Sequence, residues 1–233
     1  MEKERLLPEP HRYAICSPGR YPVKKFYKGV FQEVFIFFHP FIKPKNLSYD
    51  LFNPDKYPDK NEIQRDCKRI SWEQFLGLSG IESPARLDIG LRTSIGGIGR
   101  ERACERTAEI IQETCERERM IPPYEGSLPE ILINDLLQAV IEEGHDWIWY
   151  GDEFCTKREL EYIEDLIEKA DSFGVSPINL FTHDQSLLIT TGWDSHFSLL
   201  CSDKETVARI VKRCSLEGFY CGEDTWLYWS VQE

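Results

Sequence analysis

Pro177-Ile-Asn-Leu-Phe-Thr182, Ser186-Leu-Leu-Ile-Thr-Thr191 and His196-Phe-Ser-Leu-Leu-Cys201 are three short apolar runs with branched and aromatic side chains. Runs of this length bounded by turn formers read as strands, and Gly192-Trp-Asp-Ser195 between the last two reads as a hairpin-like turn. Asp203 or Thr206 then starts a helix through Leu216, because Val207, Ile210, Val211 and Cys214 share one face at helical spacing. Phe219–Cys221 and Thr225–Val231 read as closing strands. The order β-β-β-α-β-β with short connections predicts an α+β fold, a mostly antiparallel sheet packed against several helices.

Upstream of this tail, Thr156 and Glu159 stand in the capping-box relation, which predicts a helix through about Phe173, ended by Gly174. His145–Tyr150 (HDWIWY) reads as a strand with Trp147 and Trp149 on one face and Ile148 and Tyr150 on the other; Ile148 favours its own side as core. Pro129 suits the first turn of a helix running to Glu143 and stopped by Gly144. Arg100–Arg119 reads as a helix, and Arg86–Ile95, with Leu87, Ile89 and Leu91 alternating, as a strand. Ser71 and Gln74 form a capping-box pair ahead of a short helix, and Asn61 caps another through about Lys68. Residues 31–38, FQEVFIFF, have the composition of a buried strand. The proline-punctuated stretch 39–60 reads as an extended loop, and residues 1–30 as a basic arm. No internal repeat is visible. The chain is expected to form a single α+β domain over 1–233. If there are two lobes, the break is near 121–128, dividing a 1–60 arm and a 61–120 helical part from a 129–233 body of helices plus sheet.

The chain has 233 residues, with 41% hydrophobic and 29% charged side chains, which argues against wholesale disorder. No apolar window approaches the ~18 residues of a membrane-spanning helix, and the charged N-terminus lacks a signal core, so a cytoplasmic location and no membrane partner are expected. The net charge of −12 is concentrated: residues 121–233 carry 7 basic and 22 acidic side chains, a balance of −15. That sign repels phosphate backbones, so nucleic acid is not an expected partner. Eight cysteines in a chain of this type, with no CxxC, are expected to be reduced thiols.

Two stretches stand out as candidate sites. Gly96, Gly97 and Gly99, flanked by Arg92 and Arg100, lie between a predicted strand and a predicted helix, where backbone N–H groups and a helix N-terminus favour an anion. The spacing matches neither GxGxxG nor a phosphate-binding P-loop, and a flexible turn is the plainer reading. The second is the acidic and aromatic run Trp147, Trp149, Asp152 and Glu153. Trp anchors with neighbouring carboxylates suit a basic protein partner; the plainer reading is tryptophan in the core and acid at the rim. His183, Asp184, His196, Cys155 and Cys201 form no recognised nucleophile or metal spacing. No cofactor or metal site is expected, and oligomeric state is not legible.

The tail from Thr190-Thr-Gly-Trp-Asp-Ser-His-Phe197 to Leu216-Glu-Gly-Phe-Tyr-Cys-Gly-Glu-Asp-Thr-Trp-Leu-Tyr-Trp229 resembles an uncharacterised family from Bacillus-type bacteria, domain of unknown function 2711. That resemblance carries no activity or catalytic residue. The tail is also similar in style to bacterial toxin-immunity proteins, which implies an acidic partner binder. The expected function is therefore a non-catalytic partner-binding protein of immunity or regulatory type. The alternative is an enzyme or sensor taking a small anionic or phosphorylated ligand at the glycine loop.

Overall fold

Strand β1 (Glu33–Phe38) is covered on both faces, which is why its sequence is continuously apolar rather than alternating. Val34, Ile36 and Phe38 enter one core, and Phe35 and Phe37 enter the other. The computed structural model describes residues 12–170 and 179–231. A short helix α1 (Val23–Phe26) precedes β1. After it come β2 (Phe41–Pro44), α2 (Lys60–Asp66), β3 (Cys67–Ile70), α3 (Trp72–Ser79), α4 (Pro84–Ser94), α5 (Glu105–Glu118), α6 (Glu130–Glu142), β4 (Trp147–Gly151) and β5 (Arg158–Tyr162). The chain continues through α7 (Ile163–Glu168), β6 (Asn179–Thr182), β7 (Leu188–Thr191), β8 (Phe197–Ser202), α8 (Lys204–Cys214) and β9 (Gly218–Tyr220).

Seven strands form one sheet in the order β5-β4-β6-β7-β8-β1-β9, every neighbouring pair antiparallel. One face carries α1, α3, α4 and α5; the other carries α2, α6, α7 and α8. The fold is α+β, a helix-covered antiparallel sheet, with β2 and β3 as a separate pair. Residues on either side of the 121–128 break contribute to both cores. Among the described residues no helix is long and apolar enough to cross a membrane.

From β6 through β9 the tail follows its sequence reading closely. Asp203 caps α8 by accepting from the backbone N–H groups of Glu205 and Thr206, both at 2.9 Å. Val207, Ile210 and Cys214 are buried, with Val211 packed beside them. Ile148 and Tyr150 are buried on one face of β4, as alternation implied.

Several elements differ from the sequence reading. Arg86–Ile95 is not a strand but lies within helix α4 and its C-cap. Ser83 caps it and Pro84 opens it, and every residue from Leu87 to Arg92 is buried. A helix buried nearly all round carries no stripe, so its apolar positions mimic alternation. The helix expected from Arg100 starts at Glu105, after a turn in which Thr93 Oγ1 accepts from the Cys104 N–H at 3.0 Å. Thr156 caps no helix. Its hydroxyl and N–H both bond to Asp152, closing the β4–β5 turn, and the following residues pair with β4. Asp59 rather than Asn61 caps α2, and β3 follows it directly. Part of the 39–60 loop is β2. Thr225–Val231 is not a strand: it turns across α4 and ends in a 3-10 turn at Trp229–Val231. The part of the basic arm before Arg12, the expected helix end at Phe173–Gly174 and the strand start at 177–178 lie outside the described residues.

Candidate functional site

Three segments meet at a cleft of about 350 Å³. The first, Ile15–Arg20, crosses the sheet end, pinned where Tyr27 OH donates to the Ile15 carbonyl at 2.7 Å. The second is the β4–β5 turn. Buried Asn179 donates through Nδ2 to the carbonyls of Asp152 (2.6 Å) and Glu153 (3.2 Å), while Thr190 Oγ1 donates to Asn179 Oδ1 at 2.5 Å. This clamp fixes Glu153 and Phe154 at the cleft. The third is the β7–β8 turn, Gly192–Ser195. Gly126 backs it, donating its N–H to the Ser195 carbonyl at 3.1 Å. Its φ of 69°, and a Trp193 carbonyl 2.5 Å from where a Cβ would stand, exclude any other residue there.

Phe154 and Trp193 stand at the cleft 60% and 64% exposed, the two most exposed large hydrophobic side chains among the described residues. The carboxylate residues Glu153 and Asp194 line the same cleft, each half-buried and without an ion-pair or hydrogen-bond partner among the described residues. Burial raises the Glu153 carboxyl above the ordinary range, and the negative charges of Asp194 and Asp152 push it further. Arg20 is the cationic residue on the wall, and its guanidinium lies over the Tyr21 ring at 5.6 Å. Cys16 and Ser17 form the floor. Burial pushes the Cys16 thiol up to about 12, so it is no nucleophile at neutral pH. Ser17 is 1% exposed and its Oγ has no partner among the described residues.

Of the acidic and aromatic residues singled out from the sequence, only Glu153 lines the cleft. Asp152 does not face a partner. Burial opposes its ionisation, but bonds from Thr156 and the Lys157 N–H outweigh this and hold its carboxyl below the usual range. Trp147 is 51% exposed at the far end of β4, edge-on to Tyr162. Trp149 lies half-buried against Phe181 and His183, donating from Nε1 to His183 Nδ1 at 3.2 Å. Neither tryptophan lines the cleft. Trp193, which belongs to the same aromatic-acidic half of the sequence, and Asp194 lie in the hairpin-like turn, and neither they nor Ser17 carry a local mark of a site, since sequence-distant segments assemble it.

The glycine loop is not built as expected. It follows the C-terminus of α4, and its N–H groups are used there: Gly96 donates to the Thr93 carbonyl at 3.1 Å and Gly97 to the Arg92 carbonyl at 2.8 Å. Gly97 and Gly99 line a neighbouring hollow of about 340 Å³, but the Asp194 side chain abuts Gly97 and the Glu101 carboxylate lies over Gly99. Both carboxylates oppose an anion. Arg100 is exposed and does not line the hollow.

Arg92 faces inward, contrary to its expected place beside that loop. It is 1% exposed, donating from Nε to Asp88 Oδ2 at 2.9 Å and from Nη2 to Ser195 Oγ at 3.3 Å. Ser230 Oγ donates to the same Asp88 oxygen at 2.5 Å. The guanidinium packs over Tyr228 at 4.9 Å and Phe197 at 5.5 Å. The pair is neutral as a unit and supports the cleft wall through Ser195.

All eight cysteines lie in the described part and are free thiols. Thiol titration in denaturant without reductant is expected to count close to eight; a count of six or fewer would mean cross-links that this fold lacks. Among the described residues no group of three or more His, Cys, Asp or Glu is placed to hold a metal ion.

A family model described as "Protein of unknown function (DUF2711)" matches residues 19–231. A relative, "Uncharacterized protein YwbB" from Bacillus subtilis (strain 168), is 24% identical over 174 residues, covering 74% of this chain and 77% of that protein. No solved structure matches the chain. The family match takes in the cleft residues from Gly19 and Arg20 through Glu153 and Trp193 to Tyr228, with residues 15–18 lying before it, and the chain belongs to the DUF2711 family.

Proposed function

We propose that this is a cytoplasmic, non-catalytic binding protein that takes a basic group of a partner protein into the Glu153–Asp194 cleft. The observation that carries this reading is two carboxylates, without partners among the described residues, that line one cleft with two exposed aromatic rings. Like charges brought together in a half-buried site raise each other's cost, and a cation entering between them relieves it. Exposed Trp and Phe supply the desolvated contact that anchors an interface, and the charge speeds encounter. The net charge of −12 extends the same complementarity over the surface. The raised Cys16 thiol, and the lack of a nucleophile–base pair among the described residues that line the cleft, favour binding over catalysis.

The test is calorimetric titration with short tetra-arginine and tetralysine peptides, with tetraglutamate as control. Binding by at least one basic peptide is expected at low ionic strength, weakening as salt approaches 0.5 M, with none for tetraglutamate. Absence of binding by both basic peptides would contradict the reading.

A further inference from the structure

On that reading of the cleft, we infer that its anchoring ligand is an arginine side chain, selected over lysine by the Ser17 hydroxyl and the flanking rings. The acidic pair alone accepts any cation. A second feature narrows the choice: Ser17 lies on the floor, 1% exposed, with an Oγ that has no hydrogen-bond partner among the described residues. A buried hydroxyl left unpaired costs free energy, and such groups in native proteins are normally satisfied. A ligand that carries a donor to the floor supplies the missing bond.

The geometry asks for several donors at once. Glu153 and Asp194 bring carboxylate oxygens to the cleft, and Ser17, which also lines it, brings a hydroxyl unpaired among the described residues. A guanidinium presents five N–H donors in a planar fork and can reach separated acceptors together; an ammonium offers three on a compact, strongly hydrated centre. Trp193 and Phe154 add apolar rings to the same cleft, and a weakly hydrated guanidinium stacks on such faces at lower desolvation cost than an ammonium. This protein already pairs arginine with rings in this way: Arg20 lies over Tyr21, and Arg92 over Tyr228. Arg92 adds no net charge to the cleft because Asp88 neutralises it, and Arg20 against the two carboxylates leaves the lining with one net negative charge.

Three capped tripeptides test the assignment by NMR titration on the full chain: Gly-Arg-Gly, Gly-Lys-Gly and Gly-citrulline-Gly, the last a neutral isostere of the first. The arginine peptide is expected to bind about tenfold more tightly than the lysine peptide, a ratio in keeping with loss of stacking and of one charge-assisted bond. The citrulline peptide should be at least tenfold weaker than arginine. Ser17→Ala should cut the arginine-to-lysine ratio at least threefold; the hydroxyl it removes bonds to nothing among the described residues, so the melting temperature should hold. Trp193→Ala, at an exposed position, gives a second variant expected to lower the same ratio. Lysine binding as tightly as arginine, or an unchanged ratio in both variants, would overturn the arginine assignment while leaving a cation-binding cleft. Failure of both charged peptides to bind would overturn the assignment and the cleft reading together.

Discussion

Arg92→Met is expected to cost about 3–5 kcal/mol of folding stability, the loss typical when one partner of a buried ion pair is removed. Both members of the pair are fully inside: Arg92 is 1% exposed and Asp88 is not exposed at all. With the guanidinium gone, the Asp88 carboxylate would keep only the Ser230 hydroxyl among its side-chain donors. Asp88→Ala should be similarly severe, because it strands the positive charge beneath Tyr228. The double variant should be less damaging than the sum of the two, since an apolar pair carries no unpaired charge. Urea denaturation of the four proteins measures this directly. A loss below about 1 kcal/mol for either single variant would mean that the pair is open to water, contrary to the burial described.

Acidification should destabilise the protein well above the range in which carboxylates usually titrate. Burial lowers His39 to about 3, helped by neighbouring His196, and lowers His196 to about 3, helped by the positive charge of Arg92. Both values lie below the ordinary 6.5 of the unfolded chain. Between pH 6.5 and about 3 the unfolded state therefore binds protons that the folded state refuses. Stability is fully present above 6.5 and is lost as the pH falls. Over the first unit, from pH 6.5 to 5.5, the two rings together should remove about 2 kcal/mol. Glu130 and Glu153 work in the opposite sense, since burial raises both and the folded state binds their protons more readily. The hydrogen-bonded carboxylates Asp152, Asp184 and Asp203, which are lowered, lose their contribution only at more acid pH. Urea midpoints at pH 7.5, 6.5 and 5.5 measure the slope, and His39→Gln and His196→Gln should each remove about half of it. A profile that stays flat down to pH 5.5 would contradict the burial of these rings.

What could be read in advance follows the kind of physics each segment uses. β6, β7, β8 and α8 were legible because local pattern and tertiary burial agree: the strands are buried throughout, and α8 has one wet face. α4 was misread because burial on nearly every side removes its helical stripe. Thr156 was misread because a hydroxyl that can cap a helix can equally close a turn, and Asp152, four residues earlier, decided for the turn. The candidate site was legible only at Glu153. Its other parts, Ser17, Trp193 and Asp194, come from segments far apart in sequence, and sheet pairing and the Asn179 clamp bring them together. Arg92 illustrates the converse: an arginine beside glycines looks like an anion ligand until Asp88, one helical turn earlier, is seen to hold it.

The central claim is that Glu153 and Asp194 create a cation-binding cleft, and the most direct measurement compares the parent with the Glu153→Gln/Asp194→Asn double variant. Both substitutions keep the side-chain shape and remove the charge, so the fold and the aromatic rim should persist. The affinity for tetra-arginine at low ionic strength should fall at least tenfold in the variant, with most of the salt dependence lost and the melting temperature equal to or above that of the parent. Equal affinity and equal salt dependence in parent and variant would contradict the account.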